Sequence, residues 1–438
     1  MELKEQNFSE SQWKIITSKD FYKQIIASAG SGKTRTVIGY TLFNLEYKKI
    51  KNKILLLSFS KKACGELRHR LPFEYSKHVE IRTFHAFCYH YIKNFHPLYK
   101  ITKFSILEEE KKLEFVKQLL LKHPEKTLGI PYVILMNHLK KLEVYLPELH
   151  QMINSELKKF KQENHLLEYE DLISMVIEGL VNRSTWIYPM LENYKHIIVD
   201  EFQDTDPKQL YFLKLIQPKT LLVVGDDWQA IYGFRGATVF PLLQFKKYFE
   251  NAKIFKLTEN YRSLKNIVDC GNYIISKSAQ KIPKSVKAIR GKGINVPILS
   301  ISKKEKNFYN LLIKILISFK VMILVRSNFK RDFWIKEGIP EEQVMTIHKS
   351  KGLEFPVILL DIESGWSGET YLTDEEIRVA YVAVTRAQNI CIVLYSNQKK
   401  ECLEFFLYNY FFSKISKNVN LEQLTTYLDK EQKYRNPT

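Results

Sequence analysis

The chain contains a glycine-rich segment whose residue types and spacing suit the binding of nucleotide phosphates. Residues 27–34 read ASAGSGKT, in which small residues let consecutive backbone N–H groups point inward at the phosphates. In such a loop the Lys33 ammonium reaches the β- and γ-phosphates, and the Thr34 hydroxyl is a ligand for Mg²⁺. Ala27 occupies the outer position, where glycine is commoner. The segment therefore predicts a nucleotide site.

A second segment supplies the carboxylates that hydrolysis needs. Residues 197–204 read IIVDEFQD, an apolar strand pattern that ends in adjacent acidic residues. We expect Asp200 to hold the metal and Glu201 to act on the attacking water. Together the two segments predict an enzyme that hydrolyses the nucleotide it binds.

The composition indicates a globular and strongly basic protein of two or three domains. The chain has 438 residues, of which 45% are hydrophobic, and its formal net charge of +19 favours a polyanion or an acidic membrane surface as partner. The longest apolar run, residues 311–325, contains two lysines and is too short to cross a membrane. The N-terminus lacks the apolar core of a signal peptide. The cysteines form no CxxC pair, so we expect no zinc or iron–sulfur site and a cytoplasmic, reducing location.

Strand-like segments alternate with helical segments, which predicts an α/β fold with parallel sheets. The predicted strands are Gln24–Ala27, Ile54–Phe59, Ile197–Asp200, Leu221–Gly225, Ile254–Leu257, Val296–Ile301, Val321–Val325, Val344–Ile347, Val357–Asp361 and Ile390–Tyr395. The alternation stops between about residues 89 and 189, where Glu108–Lys122 and Glu156–Gln162 have amphipathic helix patterns. The predicted domains are a first at 1–88 and 190–252, a helical insertion in it at 89–189, and a second at 253–438.

A run of glycines and aromatic residues follows another predicted strand. Residues 225–237 read GDDWQAIYGFRGA and begin where a strand ends, the edge at which α/β sheets bind ligands. The uncharged amide of Gln229 suits a contact with the γ-phosphate. Tyr232 and Phe234, with Arg235 beside them, suit stacking on bases next to a phosphate contact. The alternative, that both rings belong to the core, is less favoured because the run resembles a loop.

Two arginines and a histidine-containing motif extend the site toward the C-terminus. Arg262 in LTENYRS and Arg386 in YVAVTRA each end an apolar stretch. Arginines from a second domain can neutralise charge on a transferred phosphoryl group, an effect worth roughly 10³–10⁵ in rate. The segment MTIHKSKGLEF places His348 and Glu354 around a glycine turn, which suits contacts with a phosphate backbone and a nucleotide. A metal role for His348 is not favoured, because no second ligand lies at a suitable spacing.

Further polar and basic segments accompany these motifs. SFSKKA at 58–63 and TFHAF at 83–87 each place a hydroxyl, an aromatic ring and a basic or imidazole group after a strand-like run, where DNA could lie across the sheet. From Cys270 to Lys304 the chain has many basic residues and no acidic one. We interpret that run as a solvated helix face and loop, with nucleic-acid binding as the alternative.

The ordered series of motifs resembles that of the UvrD/Rep-type superfamily 1 DNA helicases. The resemblance covers about residues 5–395 and comprises, in order, NFSESQW, ASAGSGKT with the following arginine, SFSKKA, TFHAF, VDEFQD, GDDWQAIYGFRGA, LTENYRS, TIHKSKGLEF and YVAVTRA. Such a series is far more specific than a phosphate-binding loop alone, which many unrelated NTPases carry. It implies two RecA-like domains of the P-loop NTPase type, with ATP in the cleft between them and single-stranded DNA across their tops.

The resemblance also implies a role for each matching residue. The catalytic residues would be Lys33, Glu201, Gln229, Arg262 and Arg386. The nucleotide contacts would come from Gln12 and Tyr261 at the adenine, from Glu354, and from Ala27, Ser28, Ala29, Gly30, Ser31, Gly32, Lys33, Thr34 and Arg35. Thr34 and Asp200 would hold Mg²⁺. DNA would contact Phe59, Thr83, His85, Tyr232, Phe234, Arg235 and His348. The implied activity is ATP-driven movement 3′→5′ on single-stranded DNA, with strand separation, in repair, replication or phage defence.

Three features depart from the family pattern. Residue 234 is Phe where these helicases usually carry Trp, and Trp228 stands where a small or acidic residue is usual. Only about sixteen residues join Asn328 to Met345, too few for the large helical insertion that the family has there. We therefore expect translocation on single strands more than processive unwinding. The expected partners are single-stranded DNA and its junctions with duplex, and a protein partner in place of the missing domain is left open.

Two other classes of function stay open at this point. One is an ATP-driven regulatory switch within a larger DNA-processing or defence complex, with little unwinding of its own. The other is a basic nucleic-acid-binding module with a degenerate NTPase site. Retention of Glu201, Gln229 and both arginines favours turnover over the switch. The module is disfavoured because no catalytic position of the motifs is lost.

Overall fold

The computed structural model describes residues 7–292, 298–303, 308–363, 366, 372–396 and 403–435. Contacts divide the chain into two compact units. The first unit comprises Met1–Ile81, Lys195–Pro207 and Lys219–Thr438, and the second comprises Arg82–Tyr194 and Lys208–Pro218. Both large sheets belong to the first unit, except for residues 82–83 of the first sheet, which fall in the second. Among the residues described, no helix combines the length and the apolar character that crossing a membrane requires.

The strands and helices alternate along most of the chain. The strands are β1 (Tyr22–Ala27), β2 (Ile54–Ser58), β3 (Val79–Thr83), β4 (Ser105–Ile106), β5 (Leu166–Leu167), β6 (His196–Val199), β7 (Thr220–Gly225), β8 (Lys253–Leu257), β9 (Glu259–Asn260), β10 (Lys287–Ala288), β11 (Ile298–Lys303), β12 (Met322–Val325), β13 (Val344–Thr346), β14 (Phe355–Asp361), β15 (Ala387–Ser396) and β16 (Lys417–Asn418). The helices are α1 (Glu10–Thr17), α2 (Lys33–Glu46), α3 (Lys61–Arg70), α4 (Phe84–Phe95), α5 (Glu109–Lys122), α6 (Tyr132–Asn137), α7 (Leu142–Tyr145), α8 (Pro147–Glu163), α9 (Tyr169–Val181), α10 (Tyr188–Asn193), α11 (Pro207–Ile216), α12 (Phe240–Leu243), α13 (Phe245–Tyr248), α14 (Lys265–Ser276), α15 (Phe308–Ser318), α16 (Asn328–Lys336), α17 (Ile347–Ser350), α18 (Asp374–Val384), α19 (Leu403–Phe411) and α20 (Leu421–Arg435).

The first sheet has the strand order β3-β2-β6-β7-β1-β8. The β1 strand is parallel to both of its neighbours, β7 and β8. Its residues after Tyr22 are all buried, as expected for a strand covered by helices on both faces. The carboxyl ends of β1, β6 and β7 therefore lie side by side, and the polar segments that follow these strands meet at one edge of the sheet.

The second sheet has the order β13-β12-β14-β15-β11-β16, and its paired strands are parallel. Apolar side chains cover both of its faces, which places β14 and β15 in a continuous core. The α16 helix and a short turn connect β12 directly to its neighbour β13. The prediction of an α/β fold with two parallel-sheet domains is confirmed.

The predicted strands agree with the structure to within one or two residues at most ends. The exceptions are short or partly polar segments. The sequence analysis did not predict β3, whose alternating burial is interrupted by polar residues, or the two-residue strands β4, β5, β9, β10 and β16. The strand predicted at Val296–Ile301 is found at Ile298–Lys303, and residues 296–297 lie outside the described part of the chain.

The second unit is mainly helical. Its core comprises Val116, Leu119, Leu120, Leu135, Leu142, Leu149 and Ile153. The predicted helix Glu108–Lys122 is present as α5, and the predicted Glu156–Gln162 is the end of the 17-residue helix α8. A two-residue parallel pair, β4 with β5, also belongs to this unit. The predicted boundaries of the three domains stay predictions.

Candidate functional site

The phosphate-binding loop joins the end of β1 to the start of α2. The loop begins at Ala27, and α2 begins at Lys33. Gly30 and Gly32 have φ of +67° and +78°, a region that side chains other than glycine rarely adopt. A Cβ on Gly32 would lie 2.6 Å from the amide nitrogen of Gln12. The loop therefore presents bare backbone and the N-terminus of a 14-residue helix, which together favour a bound phosphate.

A cavity of about 560 Å³ lies in front of this loop within the first unit. Its volume falls within the roughly 300–1,000 Å³ usual for ligand sites. The cavity is lined by Ser28, Gly30, Ser31, Gly32, Lys33, Thr34, Lys62, Glu66, Arg70, Glu201, Gln229, Tyr261, Arg262, Gly352, Leu353, Glu354 and Arg386. The structure thus brings together all five side chains predicted to be catalytic, from motifs far apart in the sequence.

Asp200 follows β6 and is buried, with an oxygen, Oδ1, that has no hydrogen-bond partner among the residues that the structure describes. Burial, followed by the neighbouring charge of Glu201, raises the pKa of Asp200 to about 7. A second, smaller cavity is lined by both Asp200 and Thr34. A buried carboxylate oxygen without a partner, near a hydroxyl, fits a hard cation that prefers oxygen ligands, so these residues suit Mg²⁺.

Glu201 has a different environment from its neighbour. Burial would raise the pKa of Glu201, but the charges of Lys33 and Lys351 outweigh that effect and hold it below its ordinary value. The residue adopts φ of +55°, an uncommon conformation that turns the chain sharply after the strand. The amide nitrogen of Gln203 donates to a Glu201 carboxylate oxygen at 2.5 Å. Glu201 is therefore an ionised and oriented carboxylate, as a general base must be.

Arg386 is completely buried and contacts the turn that follows β7. Its guanidinium donates to the side-chain oxygen of Gln229 at 3.3 Å and to the backbone oxygens of Val382 and Leu353 at 3.0 Å each. Burial, followed by the charge of Arg262, lowers the pKa of Arg386 to about 9. The side chain stays a cation at neutral pH, at the wall of the nucleotide cavity.

Arg262 pairs with Glu354 on the same wall of the cavity. The Arg262 Nε lies 2.5 Å from a Glu354 carboxylate oxygen, and Gln388 donates to the other oxygen at 2.9 Å. Burial would raise the pKa of Glu354, but the Arg262 charge and hydrogen bond lower it. Both residues are predicted to contact the nucleotide, and their pairing fixes the guanidinium against the second sheet.

The predicted adenine contacts lie around the loop. Gln12 is buried and donates to the Ser31 carbonyl at 3.3 Å, while its own oxygen accepts from the Ser9 backbone at 3.1 Å. The Tyr261 backbone N–H donates to the Gly30 carbonyl at 2.9 Å, and its ring is 42% exposed. Tyr261 is thereby a half-exposed ring at the rim of the cavity, and Gln12 supports the loop.

Arg35 lies near the same rim of the nucleotide cavity. Its guanidinium donates to the Asn7 carbonyl at 2.9 Å and lies 5.1 Å from the centre of the Phe8 ring. The contact is a cation–π interaction. Arg35 therefore joins the segment before α1 to the first turn of α2, next to the side of the loop predicted to hold the base.

Four of the side chains predicted to contact DNA form one aromatic cluster. The rings of Phe59 and Tyr232 are stacked, with centres 4.9 Å apart and planes 20° apart. Tyr232 and Phe234 lie 6.1 Å apart, and Phe234 packs edge-on against His348 at 5.3 Å. Phe234 is 58% exposed, so its ring is accessible from solvent. The cluster is a half-buried aromatic surface of the kind that suits base stacking.

His348 is held within this cluster by two partners. Its Nε2 lies 3.2 Å from the Ile231 carbonyl, which requires a proton on Nε2, and Arg326 donates to its Nδ1 at 3.4 Å. Burial, followed by the Arg326 charge, lowers the pKa of His348 to about 4. The imidazole is neutral at physiological pH, so it does not act as a cationic phosphate contact.

Three predicted DNA contacts are placed elsewhere or are not described. Thr83 accepts a hydrogen bond from the Ala86 backbone at 3.2 Å and so caps α4. His85 packs edge-on against Tyr169 at 5.8 Å. Both residues belong to the second unit. The side chain of Arg235 lies outside the described part of the chain.

Comparison with known proteins decides the family. The family model of the UvrD/REP helicase N-terminal domain matches residues 8–250, which is more than half of the chain, and that of the UvrD-like helicase C-terminal domain matches residues 328–398. The chain belongs to the UvrD/Rep helicase family. The resemblance of the motif series is thereby confirmed.

The curated relatives of this UvrD/Rep family member are longer proteins. DNA helicase II of Haemophilus influenzae is 29% identical over 300 residues, which are 63% of this chain and 41% of the relative. The ATP-dependent DNA helicase PcrA of Staphylococcus epidermidis is 30% identical over 302 residues, 64% of this chain and 41% of the relative. The ATP-dependent DNA helicase Rep of Buchnera aphidicola is 29% identical over 306 residues, 65% of this chain and 46% of the relative. The aligned part thus spans less than half the length of these relatives.

The structure explains Trp228, which departs from the UvrD/Rep pattern. The indole is 3% exposed and packs edge-on against Tyr381 at 5.5 Å. It belongs to the apolar cluster that covers one face of the second sheet. Trp228 is therefore a core residue that joins the turn after β7 to α18, and the sequence pattern alone gave no reason to expect that contact.

Other residues of the UvrD/Rep site were not predicted. Lys351 donates to both carboxylate oxygens of Asp204, at 2.5 and 2.8 Å, and to the Gln229 carbonyl at 2.8 Å. Its ammonium also lies 4.7 Å from the centre of the Tyr232 ring. Lys351 lies in the motif KSKGLEF, and its place in that motif was the sequence signal that could have identified it as a site residue. Glu66 and Arg70 line the cavity from α3 together with Lys62. The three residues recur at every fourth position, which places them on one face of the helix.

Proposed function

We propose that the chain is an ATP-dependent DNA motor that moves 3′→5′ on single-stranded DNA. The observation that carries the proposal is the contact of Gln229 with both Arg386 and Lys351. Gln229 lies in the nucleotide cavity, and Lys351 lies over Tyr232 of the aromatic cluster. Two hydrogen bonds and one cation–π contact therefore join the site suited to ATP to the site suited to bases.

The nucleotide site contains groups for each step of hydrolysis. The loop N–H groups and Lys33 bind the phosphates, and Thr34 with Asp200 would hold Mg²⁺. The metal ion, when bound, would offset the negative charge of the phosphates. Glu201 orients the attacking water and accepts its proton. Arg386 and Arg262 offset the charge that develops on the transferred phosphoryl group.

We infer that nucleotide hydrolysis is coupled to DNA binding because groups in the cavity change their hydrogen-bond partners. A γ-phosphate bound beside Gln229 would compete with the Gln229 side-chain oxygen for the Arg386 guanidinium, so the turn that carries Gln229 and Tyr232 responds to hydrolysis. Lys351 holds this turn through the Gln229 carbonyl and Tyr232, so a shift of the turn also moves the aromatic cluster. Repeated binding and hydrolysis would then alter the grip on one strand in each cycle.

The connection between β12 and β13 favours translocation over extensive unwinding. The α16 helix and a short turn fill this connection, where the family resemblance implies a large helical insertion. We infer that a protein partner or a DNA junction supplies the duplex contact that such an insertion would provide. Repair, replication and phage defence are the settings in which a motor of this kind would act.

The test is the rate of ATP hydrolysis with and without single-stranded DNA, followed by strand displacement on duplexes with a 3′ or a 5′ tail. We expect DNA to stimulate hydrolysis at least about tenfold, because placing one group that stabilises transition-state charge is worth about 10²–10³ in rate. We expect strand displacement only with the 3′ tail. Lys33→Ala is the inactive control. Nucleotide binding without DNA-stimulated hydrolysis would instead support an ATP-driven switch in a larger complex, and a preference for 5′ tails would contradict the proposed polarity.

A further inference from the structure

Lys284 is a buried lysine that contacts the phosphate-binding loop without belonging to any recognised motif. Its ammonium lies 2.6 Å from the Ala27 carbonyl, 2.6 Å from the Asp226 carboxylate and 2.9 Å from the Asp227 carboxylate. The exposed fraction of its side chain is 0%, as are those of both aspartates. The interpretation of the basic run from Cys270 to Lys304 as a solvated surface is therefore wrong at this residue.

An extended segment between α14 and β10 brings Lys284 to this position. The Ile282 backbone N–H donates to the second Asp227 oxygen at 2.6 Å, which anchors the segment. The ammonium also lies 4.5 Å from the centre of the Trp228 ring. Burial would raise the pKa of Asp226, but the charges of Lys284 and Lys33 hold it below its ordinary value. Asp226 is thus kept ionised by the lysine.

Asp226 is the junction between Lys284 and the catalytic side chains. Its Oδ2 accepts from the amide nitrogen of Gln229 at 2.5 Å, which leaves the amide oxygen of Gln229 facing Arg386. The Asp226 backbone N–H donates at 2.8 Å to Gln203, the residue that orients Glu201. Without the Lys284 charge, Asp226 would face Asp227 as a buried anion without its ion-pair partner, and its hydrogen bond to Gln229 would weaken or rearrange.

We propose that Lys284 is a positioning residue for nucleotide hydrolysis. It fixes the Asp226 carboxylate, which in turn sets the orientation of the Gln229 amide at the γ-phosphate position, and it ties this carboxylate to the first residue of the phosphate-binding loop. Lys284 is not one of the described residues that line the nucleotide cavity, so its effect on Gln229 passes through Asp226. The inference rests on the proposed hydrolysis of ATP at this site.

The first variant is Lys284→Met, which keeps the length of the side chain and removes the charge. We expect the DNA-stimulated kcat to fall at least about tenfold while the affinity for ATP changes by less than about threefold, because the Gln229 contact matters most in the transition state. Lys287→Met is the matched control, since that lysine lies three residues further along the chain, at the start of β10, and is exposed. The double variant Lys284→Met/Asp227→Asn removes one buried negative charge together with the lysine charge. It replaces the single variant in the same assay if the single variant is unstable.

The decisive measurement is the same substitution in a Gln229→Ala background. If Lys284 acts by orienting Gln229, Lys284→Met should lower kcat by less than about twofold there, because the two changes are not additive. A loss of kcat as large in that background as in wild type would overturn the proposal, and so would wild-type hydrolysis by Lys284→Met. Failure of both the single and the charge-balanced variant to fold would show a purely structural role, which also overturns it. Failure of the wild-type protein to hydrolyse ATP would instead refute the proposed function.

Discussion

Arg386 donates to the side-chain oxygen of Gln229 at 3.3 Å, and this contact joins the segment before β15 to the turn after β7. The two residues adjoin strands of different six-stranded sheets, so this contact between residues predicted to be catalytic is made between the two halves of the first unit. Because Arg386 is completely buried, its position depends on the packing of α18 and not on solvent. A nucleotide in the cavity would meet an arginine whose position is already set.

Arg386→Ala should lower DNA-stimulated ATP hydrolysis by about three orders of magnitude, because an arginine that offsets transition-state charge is worth roughly 10³–10⁵ in rate. Binding of single-stranded DNA without nucleotide should change little. Steady-state ATPase assays and fluorescence anisotropy measure the two properties. The control is Arg435→Ala, which removes a half-exposed arginine paired with Glu431. A rate within about threefold of wild type would contradict the assignment.

Lys33→Ala and Glu201→Gln should both abolish turnover, but for different reasons. Loss of the Lys33 charge should weaken ATP binding as well as hydrolysis. Loss of the Glu201 carboxylate should remove the base and leave the loop intact, so ATP should still bind. Nucleotide affinity measured by calorimetry, set beside the hydrolysis rate, separates the two variants. Normal hydrolysis by Glu201→Gln would show that another group activates the water.

Phe234→Ala should weaken binding of single-stranded DNA by about 5- to 150-fold, since stacking on one base is worth about 1–3 kcal/mol. ATP affinity should stay near the wild-type value. Phe234→Trp should bind at least as tightly as wild type, because an indole offers a larger stacking surface. Phe329→Ala is the matched control, as that ring is 82% exposed and lies on α16. Equal DNA affinities for Phe234→Ala and Phe329→Ala would argue against the aromatic cluster as the binding surface.

The stability of the protein should depend on pH through His348. Its pKa is lowered to about 4 in the folded chain, from an ordinary value of 6.5, by burial and the Arg326 charge. Between these values the unfolded chain binds more protons than the folded one, so the free energy of unfolding falls as the pH drops from 6.5 toward 4. The slope from this residue is at most about 1.4 kcal/mol per pH unit. The substitution His348→Asn removes this contribution to the pH dependence.

Denaturant unfolding of wild type and His348→Asn at pH 7, 6 and 5 checks this dependence. The unfolding free energy of wild type minus that of the variant should decrease as the pH falls. The reason is that His348, present only in wild type, is protonated in the unfolded chain and stays neutral in the folded one. His196, whose pKa burial also lowers to about 4, is present in both proteins and cancels in the comparison. Parallel pH profiles would show that His348 titrates normally in the folded chain.

Much of the lining of the candidate nucleotide cavity was predictable from the sequence because those residues stand in short contiguous motifs. The glycines that expose the loop backbone, and the acidic pair that follows β6, are each local patterns with a local physical cause. The long apolar strands of both sheets were predictable for the same reason. The β3 strand was not, because polar residues interrupt its short apolar pattern.

Contacts between distant segments were not predictable. The sequence shows Lys284 as one of many lysines in a basic run, and only the packing of its segment against the turn after β7 reveals the ion pairs with Asp226 and Asp227. The same holds for Trp228, whose partner Tyr381 lies on α18. A charge pattern reports the number of cations in a segment, and it does not report which of them fold inward.

Movement along one strand is the central claim, and it can be measured directly. The protein is preloaded on single strands of increasing length that carry a fluorophore at the 5′ or the 3′ end, and ATP is added with a trap that prevents rebinding. The account predicts that the signal from the 5′ end shows a lag that lengthens with the strand, whereas the signal from the 3′ end shows none. A lag at the 3′ end, or signals at both ends that do not depend on length, would contradict movement 3′→5′.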